Sequence, residues 1–113
     1  MFARLMGLKA ISPGELHELM QERRVAVVDV NSEESWRRAR VPGAMHLDPT
    51  GYGVGDLPAD KAAPLVFYCS NMLCRKAPSA ARRAQGMGYT DVRVMSAGIS
   101  GWLGARLPTE AGA

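Results

Sequence analysis

Cysteine and histidine are scarce in this sequence, with two of each among 113 residues. Structural zinc usually takes four ligands, and no histidine lies near Cys69 or Cys74, so neither a metal nor an organic cofactor is expected. A structural disulfide between the two is not expected either. Closing so short a loop removes little chain entropy, and cytosolic thiols are normally kept reduced. Long apolar runs are also missing. The longest, Val25-Ala26-Val27-Val28 and Leu65-Val66-Phe67-Tyr68-Cys69, are strand-sized and fall far short of a bilayer span. Met1 to Leu8 lacks the apolar stretch and small-residue cleavage site of a secretion signal, so a cytoplasmic protein is expected. Basic residues do not gather into a stripe with interleaved aromatics. The net charge of +3 is dispersed among Glu and Asp, which reads as a solvated mixed surface rather than a nucleic-acid or membrane face. There is no internal repeat and no low-complexity segment.

What remains is an ordinary globular balance, 47% apolar and 22% charged, in a chain sized for one core. A single domain over residues 1–113 is expected, with its core spanning roughly positions 10–109. Ser12-Pro13-Gly14-Glu15 carries an N-cap residue, proline at the first helical position and glutamate three residues on, a capping-box signature. Leu16, Leu19 and Met20 then recur at helical spacing, and the helix should stop before Arg23-Arg24. Val25 to Val30 is rich in β-branched residues without polar alternation, as in a parallel strand covered on both faces. Asn31 with Glu34 signals a second cap, for a short helix from Ser32 to Arg40 with Trp36 turned inward. Met45-His46-Leu47 reads as a short strand. Gly51, Gly53, Gly55, Pro58 and Pro64 mark a long irregular connection, and Leu65 to Cys69 is a second core strand. A helix over Pro78 to Met87 presents Ala80, Ala81 and Ala84 on one side. Val92 to Met95 forms another strand, Trp102 and Leu103 sit in a last short helix, and the tail from Pro108 should fray. Strands alternating with helices imply right-handed crossovers and a mostly parallel sheet, with ligands at the carboxyl ends of its strands.

Cys69 falls at such a strand end, and Ser70-Asn71-Met72-Leu73-Cys74-Arg75-Lys76 leads straight into the next helix. A cysteine at a strand end is ordinarily a small buried hydrophobe. Here the cations Arg75 and Lys76 and the helix start favour a thiolate instead, lowering a thiol pKa that is otherwise about 8.5. Loop amides converging on the sulfur would hold a thiolate or a persulfide without any cofactor. Cys74 is expected to line the loop. Its nearness to Cys69 also opens a lesser reading, attack on a persulfide or a transient disulfide.

These segments resemble the rhodanese-like family from about Ile11 to Thr109. Ile11 to Leu16 is similar to its opening strand and helix, Val27-Val28-Asp29-Val30 to its Asp-containing strand, and Val41-Pro42-Gly43-Ala44-Met45 to the turn that follows. Leu65 to Cys69 resembles the strand ending in the sulfur-accepting cysteine. Gly88-Tyr89-Thr90-Asp91-Val92 and Gly98-Ile99-Ser100-Gly101-Trp102 are similar to the closing segments. The resemblance implies an α/β domain with a mostly parallel central sheet of about five strands flanked by helices on both faces. It also implies a sulfurtransferase in which Cys69 takes sulfane sulfur from a donor such as thiosulfate and passes it to cyanide or another thiophilic acceptor. The loop residues Ser70, Asn71, Met72, Leu73, Cys74, Arg75 and Lys76 would bind the small anionic donor. The acceptor would be a thiol or a protein, and the enzyme a monomer. Two departures stand out: Ala39-Arg40 replaces a frequent Gly-His, and no glycine lies between Cys69 and Arg75.

Rival readings use the same residues. Five residues separate Cys69 from Arg75, the spacing of cysteine-dependent phosphatases and arsenate reductases built on this fold, although Tyr68 precedes the cysteine in place of their usual histidine. A non-catalytic partner-binding module is the third reading, and the presence of Cys69 opposes it. His17 reads as a surface residue, His46 as partly buried and hydrogen-bonded, and Asp29 as a partner for loop backbone. Trp36 and Trp102 read as core aromatics, and Met72 with Leu73 as an apolar rim.

Overall fold

The computed structural model describes residues 8–113, so positions 1–7 of the stretch read as lacking a secretion signal lie outside the described residues. Ser12 caps α1 (Pro13–Glu22) as the sequence requires. Its hydroxyl accepts from the Glu15 amide at 3.1 Å, and the Glu15 carboxylate accepts from the Ser12 amide at 2.9 Å. Both donors would otherwise be orphans of the helix start. Leu16 is fully buried, and Leu19 and Met20 pack beside it against the same core.

Five strands form one sheet: β1 (Lys9–Ala10), β2 (Ala26–Asp29), β3 (Met45–His46), β4 (Leu65–Tyr68) and β5 (Val92–Val94). Their order is β1-β5-β4-β2-β3 and every pairing is parallel. β4 is the middle strand and all four of its residues are buried, because both faces carry helices. Leu65, Phe67 and Cys69 point toward α3 (Lys76–Gly86), where Ala77, Ala80, Ala81 and Ala84 let the helix lie close. Val66 and Tyr68 point the other way, into the core shared by Leu16 of α1 and by Ile99 and Trp102 of α4 (Gly98–Gly104). The two-residue period of the strand thus separates Cys69 from its neighbour Tyr68. α3 begins at Lys76, two residues ahead of the expected start. Pro78 is tolerated there because first-turn amides have no partner within the helix.

Two local expectations are corrected. Ser32, not Asn31, caps α2 (Glu33–Arg38): its hydroxyl accepts from the Ser35 amide at 3.2 Å, and the helix ends short of Arg40. Nor is the tail frayed. Arg40 and Glu110 exchange backbone hydrogen bonds at 3.0 Å each, and the Arg40 guanidinium donates to the carbonyls of Gly112 at 2.7 Å and Trp36 at 3.1 Å. It also stacks 4.0 Å over the Trp36 ring. At 8% exposure a charged side chain needs such partners, and residues 110–112 supply two, the Gly112 carbonyl and the Glu110 carboxylate at 3.6 Å. The Trp36 indole itself turns inward and donates to the Ala44 carbonyl at 2.9 Å.

The connection between β3 and β4 includes a short 3₁₀ turn, Val54–Asp56, and it braces α3 from outside. The Tyr52 hydroxyl donates to the Ala80 carbonyl at 2.6 Å, and burial pushes its pKa up to about 12. Among the described residues no helix is long and apolar enough to cross a membrane.

Candidate active site

β4 delivers Cys69 to the carboxyl edge of the sheet, and a loop over residues 70–75 carries the chain into α3. α4 grips the start of this loop. The Ile99 amide donates to the Cys69 carbonyl at 2.9 Å and the Ser100 amide to the Ser70 carbonyl at 3.0 Å. Only glycine fits at position 98, where φ is +66° and a Cβ would come within 2.6 Å of the Ser70 carbonyl group and 2.7 Å of the Cys69 oxygen. Beyond that grip the loop turns on Asn71. Its side-chain oxygen accepts from the Leu73 amide at 2.9 Å and its carbonyl from the Cys74 amide at 3.1 Å. Such a turn is local chemistry of the Asn type and needs no glycine. Of the amides expected to cradle the sulfur, those of Leu73 and Cys74 are bonded to Asn71.

A pocket of about 210 Å³ opens beside Cys69. Of the loop residues expected to bind substrate, Met72, Leu73, Cys74 and Arg75 line it, whereas Ser70, Asn71 and Lys76 do not. The first turn of α3 contributes Ala77 and Pro78, and β5 with the residues after it contributes Val94, Met95 and Ser96. Those three escaped sequence reasoning. They come from the strand beside β4, and local patterns do not reveal which strand that is; the rule that ligands gather at carboxyl strand ends was the one available signal. Arg75 is the cation of this wall, and Met72 and Leu73 stand exposed at its rim, at 78% and 89%.

Cys69 and Cys74 are joined as a disulfide, where two reduced thiols were the leading expectation and a transient disulfide the lesser reading. The Asn71 turn folds the intervening residues back so that the two Cα atoms lie 6.4 Å apart, within the range that a disulfide bridges. In this state Cys69 is 2% exposed with the half-buried Cys74 bonded to it. Thiol chemistry at position 69 therefore begins with reduction of that bond.

Tyr68 anchors a separate polar cluster on the opposite face. Its hydroxyl donates to Asp29 Oδ2 at 2.7 Å and accepts from the Val41 amide at 3.1 Å, while Asp29 Oδ1 accepts from the Asn31 amide at 2.8 Å. Asp29 and Tyr68 are both fully buried. Burial pushes the Asp29 carboxyl above its ordinary value, and the Tyr68 hydroxyl and the Asn31 amide pull it part of the way back. Burial also raises the Tyr68 hydroxyl, with the Asp29 charge adding to the rise. Asp29 thus serves loop backbone, as expected, and does not line the pocket.

Neither histidine reaches the site. His46 is half-buried, and its Nε2 pairs with the Asn31 carbonyl at 2.7 Å. His17 is half-buried rather than superficial, edge-on to the Trp102 ring at 6.0 Å. Among the described residues no cluster of three or more His, Cys, Asp or Glu side chains is placed to hold a metal ion.

Comparison with known proteins places this geometry in a wider group. The uncharacterized protein YibN of Escherichia coli K12 is 29% identical over 109 residues, covering 93% of this chain and 74% of that one. The thiosulfate sulfurtransferase GlpE of Actinobacillus succinogenes is 28% identical over 105 residues, covering 93% of each. The crystal structure of a thiosulfate sulfurtransferase from Pseudomonas aeruginosa superposes with a TM-score of 0.80 at 25% identity, covering 93% of this chain and 20% of the other. The model of the rhodanese-like domain matches residues 12–105, and with its parallel sheet and its cysteine at the end of the middle strand the chain belongs to that family.

Proposed function

We propose that the chain, once its disulfide is reduced, is a monomeric cytoplasmic sulfurtransferase that carries sulfane sulfur on Cys69. The observation that carries this reading is the position of Cys69, at the end of β4 in a pocket walled by Arg75 and the first turn of α3. A cation and a helix N-terminus both favour negative charge, and a thiolate and a persulfide are both anions. The Cys69 thiolate attacks the outer sulfur of thiosulfate, the sulfur–sulfur bond of the donor breaks, and sulfite leaves with the electron pair. A thiophilic acceptor such as cyanide then takes the outer sulfur of the persulfide and restores the thiolate. No separate general base is needed when the thiolate is already formed. Arg75 draws the anionic donor in and pairs with its oxygens. The names of the GlpE relatives support the same activity.

A second reading, a phosphatase or arsenate reductase, is favoured by one observation: Arg75, separated from Cys69 by five residues, shares the pocket with it. Against it, the Leu73 and Cys74 amides that would ring an oxyanion are bonded to Asn71. The deciding experiment gives the reduced protein thiosulfate with cyanide in one assay and an aryl phosphate or arsenate in another. Thiocyanate formation that is lost in Cys69→Ser is expected. Turnover of the oxyanion substrates alone would reverse the ranking.

A further inference from the structure

The pocket is lined by two cysteine sulfurs, and sulfur transfer to an external acceptor uses only one of them. Cys74 Sγ is bonded to Cys69 Sγ, the atom that becomes the inner sulfur of a persulfide. The loop between the two atoms is held at both ends, since α4 fixes the Cys69 and Ser70 carbonyls and Asn71 fixes the Leu73 and Cys74 amides. The two cysteines are the full complement of thiols in the chain, and both line the same pocket.

Resting on the sulfurtransferase reading, we propose that Cys74 is a resolving thiol, which makes the protein a reductase of sulfane sulfur driven by an external dithiol. The Cys74 thiolate attacks Cys69 Sγ, and the bond between Cys69 Sγ and the outer sulfur breaks. The outer sulfur leaves with the electron pair as hydrosulfide. The proton lost by the Cys74 thiol balances the one the hydrosulfide takes up. The sulfane sulfur gains two electrons, and the two cysteine sulfurs together lose two as their disulfide forms. No other oxidant is involved. A dithiol then reduces the Cys69–Cys74 disulfide by exchange and becomes a disulfide itself. Per cycle, thiosulfate and one dithiol yield sulfite, hydrogen sulfide and one oxidised dithiol. Attack on the outer sulfur would merely move the persulfide onto Cys74, whereas attack on the inner atom forms the bond between Cys74 Sγ and Cys69 Sγ that the structure contains. Intramolecular placement favours this step over a competing external thiol, because the attacking group is already held at the reacting atom.

The test uses the full chain, reduced and freed of reductant, then treated with thiosulfate. Sulfite, sulfide and intact mass are followed together. Wild type is expected to release sulfite and sulfide in equal amounts and to end lighter by two hydrogens than the reduced protein. Cys74→Ser is expected to release sulfite, lose sulfide release, and remain heavier by one sulfur atom. Wild type that keeps the added sulfur and yields sulfite without sulfide would overturn the resolving role and leave the persulfide reading standing. Absence of both sulfite and added sulfur, in wild type and in Cys74→Ser, would overturn the persulfide reading and the resolving role with it. Should Cys74→Ser fail to fold, the ratio of sulfide to sulfite from wild type decides the matter without a variant.

Discussion

Replacing Tyr68 by Phe tests how the residue next to the nucleophile is used. Tyr68 and Asp29 are fully buried, and the hydroxyl is the shared partner of Asp29 Oδ2 at 2.7 Å and the Val41 amide at 3.1 Å. Phenylalanine fills the same space but takes the partner from Asp29 Oδ2 and from the Val41 amide, leaving the carboxylate only the Asn31 amide at Oδ1. Each buried group left without a partner costs about 1–3 kcal/mol, with a carboxylate at the upper end, so Tyr68→Phe should lose about 3–5 kcal/mol. A domain of this size has roughly 5–15 kcal/mol in hand, so the variant should fold but melt roughly 15 °C lower. The loss should also depend on pH. Burial raises Asp29 above its unfolded value of 3.8, so the stability it contributes is full below that value and fades as pH climbs through the raised folded one. The Tyr68 hydroxyl holds the folded value down, and removing it lifts that value further. The gap between wild type and variant should therefore widen as pH rises through that interval. Urea denaturation of both proteins at about pH 3 and about pH 7, with the disulfide kept in one state, measures the gap directly. A gap below about 1 kcal/mol at neutral pH, or one that narrows with rising pH, would refute the reasoning.

Three further outcomes follow from the same contacts. Gly98→Ala places a Cβ within 2.6 Å of backbone at φ +66°, so it should cost about 2–3 kcal/mol by thermal denaturation and displace Cys69 enough to depress sulfur transfer in parallel. Arg40→Ala removes the donor to the Trp36 and Gly112 carbonyls and the stack on Trp36; about 2–3 kcal/mol of stability should go, and hydrogen exchange should quicken at the Glu110 and Gly112 amides. Arg75→Gln should raise the KM for thiosulfate several-fold, with the increase shrinking at high ionic strength, whereas an unchanged KM would remove Arg75 from donor binding.

Much of the fold was legible because it is written in local, periodic chemistry. The Ser12 box, the uniformly apolar run ending at Cys69 and the alanine face of α3 each specify an element through its own residues, and each element formed within two residues of its expected start. The cap of α2 was read one residue early. The Asn31–Glu34 spacing fits a capping box, but the backbone amide of Asn31, which Glu34 would have to accept from, is bonded to buried Asp29, and the Ser32 hydroxyl caps the helix instead. Features that depend on distant partners were hidden. Arg40 meets Gly112 across a separation of 72 positions, so the ordered tail could not be read from its own polar residues. Ser96 joins the pocket only because β5 lies beside β4, which is a fact of strand order.

The meeting of Cys69 and Cys74, which the sequence offered only as its lesser reading, has a local cause that can be tested at Asn71. A loop without glycine needs another way to turn back, and here an Asn side chain supplies it by bonding the Leu73 amide at 2.9 Å. Because this loop is exposed, Asn71→Ala should leave global stability within about 1 kcal/mol of wild type. Its effect should fall on the thiols. A hydrogen bond worth about 0.5–1 kcal/mol, spent on holding Cys74 near Cys69, corresponds to a roughly two- to five-fold change in the equilibrium between dithiol and disulfide. Titration against a dithiol redox buffer should show Asn71→Ala more easily reduced by that factor, and hydrosulfide release from a thiosulfate-loaded protein should slow with it. If the equilibrium is unmoved while the turn is lost, the cysteines are held together by the flanking grip of α4 on the Cys69 and Ser70 carbonyls, and Gly98 rather than Asn71 is the residue that sets the reach of Cys74.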